Sequence, residues 1–60
     1  MWTVIYISPN QKIAERIREK LAGEGFLVKV RPMRMKNGQY EILVPQGELR
    51  EVQEVLGSIL

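Results

Sequence analysis

The stretch FLVKVRPMRMKNGQYEILV, residues 26–44, decides the fold, because it contains two strand-like segments joined at an Asn-Gly turn. Segments 26–30 and 40–44 are rich in the β-branched and aromatic residues that favour strands. Asn37-Gly38 between them is the strongest short signal for a two-residue hairpin loop, since both residues tolerate positive φ. The stretch therefore predicts two antiparallel strands.

The residues ahead of this hairpin predict another strand and the start of a helix. WTVIYI, residues 2–7, is also β-branched and aromatic, and it stops at Ser8-Pro9. Ser8 is expected to cap the helix, Pro9 suits the first helical position, and Gln11 completes a capping box.

Two amphipathic helices follow from the spacing of the apolar residues. The first is expected to end at Gly23 and Gly25, and its apolar stripe consists of Ile13, Ala14, Ile17 and Leu21. The stripe of the second consists of Leu49, Val52, Leu56 and Ile59 or Leu60. The order β-α-β-β-α predicts an α+β fold, a three-stranded ferredoxin-like sheet in the order 1-3-2 with both helices on one face and without the usual last strand.

The hairpin sequence also predicts which residues share a face of the sheet. A two-residue loop would pair Met35 with Tyr40, so that Met33 and Met35 face the helices as core residues. Strict alternation would then turn cations of the second strand toward the core, and a bulge near Pro32 is expected to correct this. With the bulge, four cations line the open face: Lys29, Arg31, Arg34 and Lys36.

This basic row has two interpretations. Cations and a proline on an edge strand discourage pairing with other chains, which would make the row a solvated edge. In the second interpretation, the row is a surface that binds anions or nucleic acid. Trp2 and Tyr6 are expected to share a face of the first strand, and on the open face they would lie near the cations, as in sheets that stack bases. Paired aromatics in a first strand also occur as core or oligomer contacts.

The first strand carries no charge and no proline, so it is an unprotected edge. We expect a homodimer in which two copies of this strand pair antiparallel, with an interface of Trp2, Val4, Ile5 and Tyr6.

Composition limits the chemistry. The 60 residues form one domain, 1–60, with a net charge of +2 and no histidine, cysteine or aspartate. These absences exclude Ser-His and Cys-His catalysis and argue against a zinc site. We therefore expect no enzyme activity, metal or cofactor. No apolar run reaches the roughly 20 residues of a membrane-spanning helix, so a cytoplasmic location is expected.

Three segments carry a resemblance to a known family. They are SPN at the end of the first strand, LAGEGF at the end of the first helix, and the junction ILVPQGELREVQEVL. With them the chain resembles a small prokaryotic family of signal-transducing proteins that is related in fold to PII-type regulators. The resemblance implies a ferredoxin-like β-α-β-β-α module over nearly the whole chain.

The expected function is that of a non-enzymatic regulatory or protein-interaction module. One alternative is a nucleic-acid-binding module that uses the basic open face. Another is a small-ligand sensor at a dimer interface.

Overall fold

A computed structural model describes residues 1–59. A short 3-10 helix, Gln46–Glu48, follows the last strand. Leu60, the alternative end of the second helical stripe, lies outside the described residues. The main elements are β1 (Trp2–Ser8), α1 (Gln11–Gly23), β2 (Lys29–Pro32), β3 (Tyr40–Pro45) and α2 (Leu49–Ile59).

The predicted fold class and strand order are confirmed. β3 lies in the middle of the sheet and pairs antiparallel with β1 and with β2, which gives the order β1-β3-β2. Both helices pack on the same face, against Ile42 and Val44 of β3, and these two side chains are fully buried. The stripe of α1 is confirmed. That of α2 is confirmed at Val52, Leu56 and Ile59, whereas Val55 and not Leu49 packs against the core. The buried core consists of Ala14, Ile17, Leu21, Ile42, Val44, Val52 and Leu56.

The predicted cap of α1 is wrong by two residues. Asn10 is the N-cap: its backbone is extended, and its Oδ1 accepts a hydrogen bond from the Ile13 N–H at 2.9 Å. Ser8 belongs to β1, and its hydroxyl donates to the Asn10 C=O at 2.6 Å. The capping box therefore does not form, because Gln11 is the first residue of the helix.

The predicted end of α1 is confirmed. Gly25 has a φ of 96°, a backbone conformation in which a residue with a side chain would be strained. Its N–H donates to the Ala22 C=O at 3.0 Å, and the Phe26 N–H donates to the Leu21 C=O at 3.1 Å. This pair of bonds is a Schellman motif, which satisfies carbonyls at the end of the helix and turns the chain toward β2.

The predicted register of the hairpin is wrong. A two-residue loop would place Met33 opposite Ile42, whereas Val30 occupies that position in the structure. Residues 33–39 form the loop, and Met35 in this loop is 92% exposed instead of packing against the helices. Because the ladder is shorter, Val30 reaches the buried face without any irregularity in β2.

The predicted bulge near Pro32 is also wrong, because β2 ends at that residue. The loop closes with a turn in which the Gln39 N–H donates to the Lys36 C=O at 3.2 Å. Gly38 has a φ of 85°, while Asn37 has a negative φ. Positive φ at the second central residue alone fits a type II turn and not the type I′ turn that a two-residue hairpin needs.

The irregularity lies in β1 instead. Its pairing with β3 shifts between Val4 and Tyr6, so Ile5 is the extra residue of a bulge. Tyr6 pairs with the buried Ile42 and therefore faces the helices, whereas Trp2 lies on the other face. The prediction that Trp2 and Tyr6 share a face is wrong, because the bulge reverses the alternation between them.

Candidate functional site

The sheet face that neither helix covers carries an apolar patch. Side chains alternate along β3, so Leu43, which lies between two core residues, points away from the helices. Val4 pairs with Leu43, and Trp2 and Ile7 belong to the same face on either side of the bulge. Trp2, Val4 and Ile7 are 41%, 40% and 41% exposed. We call Trp2, Val4, Ile7 and Leu43 the open-face patch.

Leu43 is only 3% exposed although no helix covers it. The reason is a contact between the two outer strands. Lys29 pairs with Leu43 from the β2 side, and its Nζ lies 4.7 Å from the centroid of the Trp2 ring on β1. The Lys29 side chain must cross β3 beside Leu43 to reach that ring. We infer that its alkyl stem and the indole cover Leu43 and that the contact keeps Trp2 against the sheet.

The four cations of the predicted basic row do not form one free row. Lys29 lies over the Trp2 ring. Arg31 Nε donates to Glu41 Oε1 at 3.0 Å, and Arg31 Nη2 forms an ion pair with the same oxygen at 2.9 Å. Arg34 and Lys36 lie in the hairpin loop. Beside the loop lies an open groove of about 540 Å³, lined by Arg31, Pro32, Met33, Arg34, Met35 and Glu41. The open sheet face thus contains one charge pair and one cation that is already in contact with a ring.

The free edge of β1 offers few regularly spaced N–H and C=O groups with which an added strand could pair. The Met1 C=O accepts from the N–H of Gln46, the residue that follows β3, at 2.9 Å. Backbone groups of successive strand residues point alternately to the two neighbours, so those of Trp2 and Val4 point to the free edge. Beyond the bulge, Ile7 takes that role. An added strand would therefore meet regular pairing sites only between Trp2 and Val4, because the bulge displaces the next one.

The free edge of β2 is less suited to pairing. The Met33 N–H donates toward the β3 side of β2, to the C=O of Gln39 just before β3, at 3.0 Å. The preceding Pro32 therefore has its nitrogen at the outer edge. Proline offers no donor there, which fits the interpretation that this edge is protected against strand addition.

The four residues predicted for a dimer interface are divided by the structure. Trp2 and Val4 lie in the open-face patch, whereas Ile5 and Tyr6 pack against the core. The sequence analysis did not select Ile7 and Leu43. For Leu43 a signal was present, since the uninterrupted apolar run ILV, residues 42–44, is typical of a strand that is buried on both faces.

Among residues 1–59, no group of three or more acidic, histidine or cysteine side chains is arranged to hold a metal ion. In the same part of the chain, no helix has the length and apolar content that a membrane crossing needs. Comparison with known proteins found no matching family model, no matching curated protein and no matching solved structure. Membership of the signal-transducing family therefore stays a prediction, and function is argued from the open-face patch.

Proposed function

We propose that this chain is a non-enzymatic regulatory module that works by binding a protein partner through the open-face patch. The observation that carries the proposal is the exposure of Trp2, Val4 and Ile7, each about two-fifths exposed, on the one sheet face without a helix. Contiguous exposed apolar side chains rimmed by polar ones are typical of protein–protein interaction sites. Tryptophan is also among the residues most enriched at the energetic centres of interfaces.

The charges around the patch support a protein partner over a polyanion. The Trp2 ring already has the Lys29 ammonium above it, so a base would have to displace that cation to stack there. Arg31 is already bound to Glu41. With Tyr6 facing the helices, the open face of the sheet offers the Trp2 ring without a second strand aromatic beside it. Stacking on several aromatics and free cations is what single-stranded nucleic acids require.

The experiment that tests this proposal is site-specific photo-crosslinking in cells that naturally make the protein. A photo-reactive amino acid replaces Ile7 in the patch, and in a matched chain it replaces Leu27, which is 64% exposed but lies outside the sheet. We expect position 7 to crosslink to protein and position 27 to give no such product. Equal crosslinking from both positions, or crosslinking of position 7 to nucleic acid, would contradict the proposal.

A further inference from the structure

We propose that the partner seated on the open-face patch is a second copy of this chain, packed face to face so that two sheets lie between two outer layers of helices. This inference rests on the proposed function, because it names the occupant of the same patch. Stacked sheets pack about 10 Å apart with their side chains interdigitated. In this arrangement Trp2, Val4 and Ile7 become buried between the two copies.

The size of the open face fits such a dimer. The chain measures 29 × 23 × 15 Å. The shortest dimension, 15 Å, matches the thickness of one sheet and one layer of helices. The open face of the sheet is therefore one of the two broad faces of the molecule. Each broad face of a body with these proportions makes up roughly a fifth of its surface, and the accessible surface is 4406 Å². A standard interface takes about 800 Å² from each partner, which is close to that share.

The distribution of residues over the face is complementary to itself. The apolar residues lie on the β1 side and at the centre, whereas Lys29 and Arg31 lie on the β2 side. A two-fold axis that is parallel to the sheets and perpendicular to the strands places β1 over β1 of the other copy. The apolar residues then meet along the β1 side and the middle of the interface, and the cations stay hydrated at the opposite edge, on the β2 side.

Edge-to-edge pairing of β1 explains the patch less well. Two copies joined at their β1 edges would form one wider sheet whose open face still exposes Trp2, Val4 and Ile7. The bulge at Ile5 would also interrupt the pairing after Val4. Face-to-face packing covers the patch, and it adds the buried surface that a chain of 60 residues lacks alone.

The test is sedimentation equilibrium of the purified chain over a dilution series, combined with the fluorescence of Trp2, the only tryptophan in the sequence. We expect a dimer whose dissociation on dilution moves the Trp2 emission to longer wavelength, because the indole returns to water. Ile7→Lys should raise the dissociation constant at least about tenfold, since it puts a charge among the apolar residues that meet in the interface. If circular dichroism shows that Ile7→Lys does not fold, Val4→Lys takes its place and should raise the dissociation constant by a similar factor.

A control variant and the response to Ile7→Lys separate the possible interfaces. Leu27→Lys adds the same charge outside the sheet and should leave the dimer unchanged. A wild-type dimer that is equally stable with Ile7→Lys would overturn the inference in favour of edge pairing, because edge pairing leaves the Ile7 side chain exposed on the open face. A wild-type chain that stays monomeric at millimolar concentration would overturn it too, and crosslinking of position 7 to a different protein would then leave the proposed function standing.

Discussion

The contact between Lys29 and Trp2 allows the open face to be tested by a double-mutant cycle. Lys29→Met removes the charge but keeps a stem of similar length over Leu43, and Trp2→Leu removes the ring but keeps an apolar side chain. The Nζ-to-centroid distance of 4.7 Å is within the roughly 6 Å over which a cation is attracted by an indole ring. Because the ring is 41% exposed, we expect the coupling energy at the lower end of such contacts, about 0.5–1 kcal/mol.

This coupling is measurable in so small a domain. The free energy of unfolding of a chain of 60 residues is on the order of 3–9 kcal/mol, so the contact contributes a visible fraction. A change of 1 kcal/mol shifts the melting temperature of such a domain by about 4–8 °C. Wild type, both single variants and the double variant are compared by urea unfolding, which is followed by far-ultraviolet circular dichroism at a protein concentration where sedimentation shows a single species.

The matched control is Lys36→Met, combined with Trp2→Leu in a second cycle. Lys36 lies in the hairpin loop, so its charge should show no coupling to Trp2. A coupling energy for Lys29 and Trp2 that is zero within about 0.3 kcal/mol would refute the argument that Lys29 holds the indole over Leu43. A coupling equally large for Lys36 would show a general charge effect instead of this contact.

Asn10→Ala should lower the free energy of unfolding by about 0.5–2 kcal/mol, because Asn10 caps α1; an unchanged urea midpoint would contradict that assignment. Gly57→Ala should raise it by about 0.5–1 kcal/mol, since an added Cβ in α2 meets open space, whereas Gly25→Ala should lower it because φ is 96°. Thermal melts that move both glycine variants in the same direction would be inconsistent with these conformations. The purified chain should show no hydrolytic turnover, and turnover that disappears when a single glutamate is replaced would refute this. Binding to single-stranded RNA should be weak or absent at physiological salt; a log–log salt slope of about −3, lost on changing all four cations to glutamine, would favour the nucleic-acid alternative. These cations are Lys29, Arg31, Arg34 and Lys36.

The elements and their order were predictable because the apolar periodicities are strong. The α1 stripe has helical spacing throughout, and Gly25 marks its end. The register of the hairpin was not predictable from its turn. Asn37-Gly38 favours a two-residue loop, but that loop would place Arg31 opposite Val44, on the face that packs against the helices. Burying a charge costs more than giving up a few ladder hydrogen bonds, so β2 ends at Pro32 and a longer loop forms.

The faces of β1 could not be assigned from the sequence for a different reason. WTVIYI is apolar at every position except Thr3, so it has no polar–apolar alternation to show which side is buried. The position of the bulge is set by tertiary packing, because Ile5 and Tyr6 both contact the core. For the same reason the candidate site was predicted only in part: Trp2 and Val4 were selected as contact residues, and Ile7 was not.

The bulge at Ile5 connects the fold to the proposed interface. With strict alternation, Tyr6 and Ser8 would lie on the open face and Ile7 would face the helices. The bulge reverses all three, since it shifts the alternation by one residue. Ser8 becomes fully buried, where its hydroxyl can donate to the Asn10 C=O at the start of α1. Ile7 moves to the open side and joins Trp2 in the patch. One irregularity thus directs the β1–α1 turn, enlarges the apolar surface and disturbs the β1 edge. A partner that covers the face would contact the larger apolar surface, whereas a partner that extends the sheet would meet the disturbed edge.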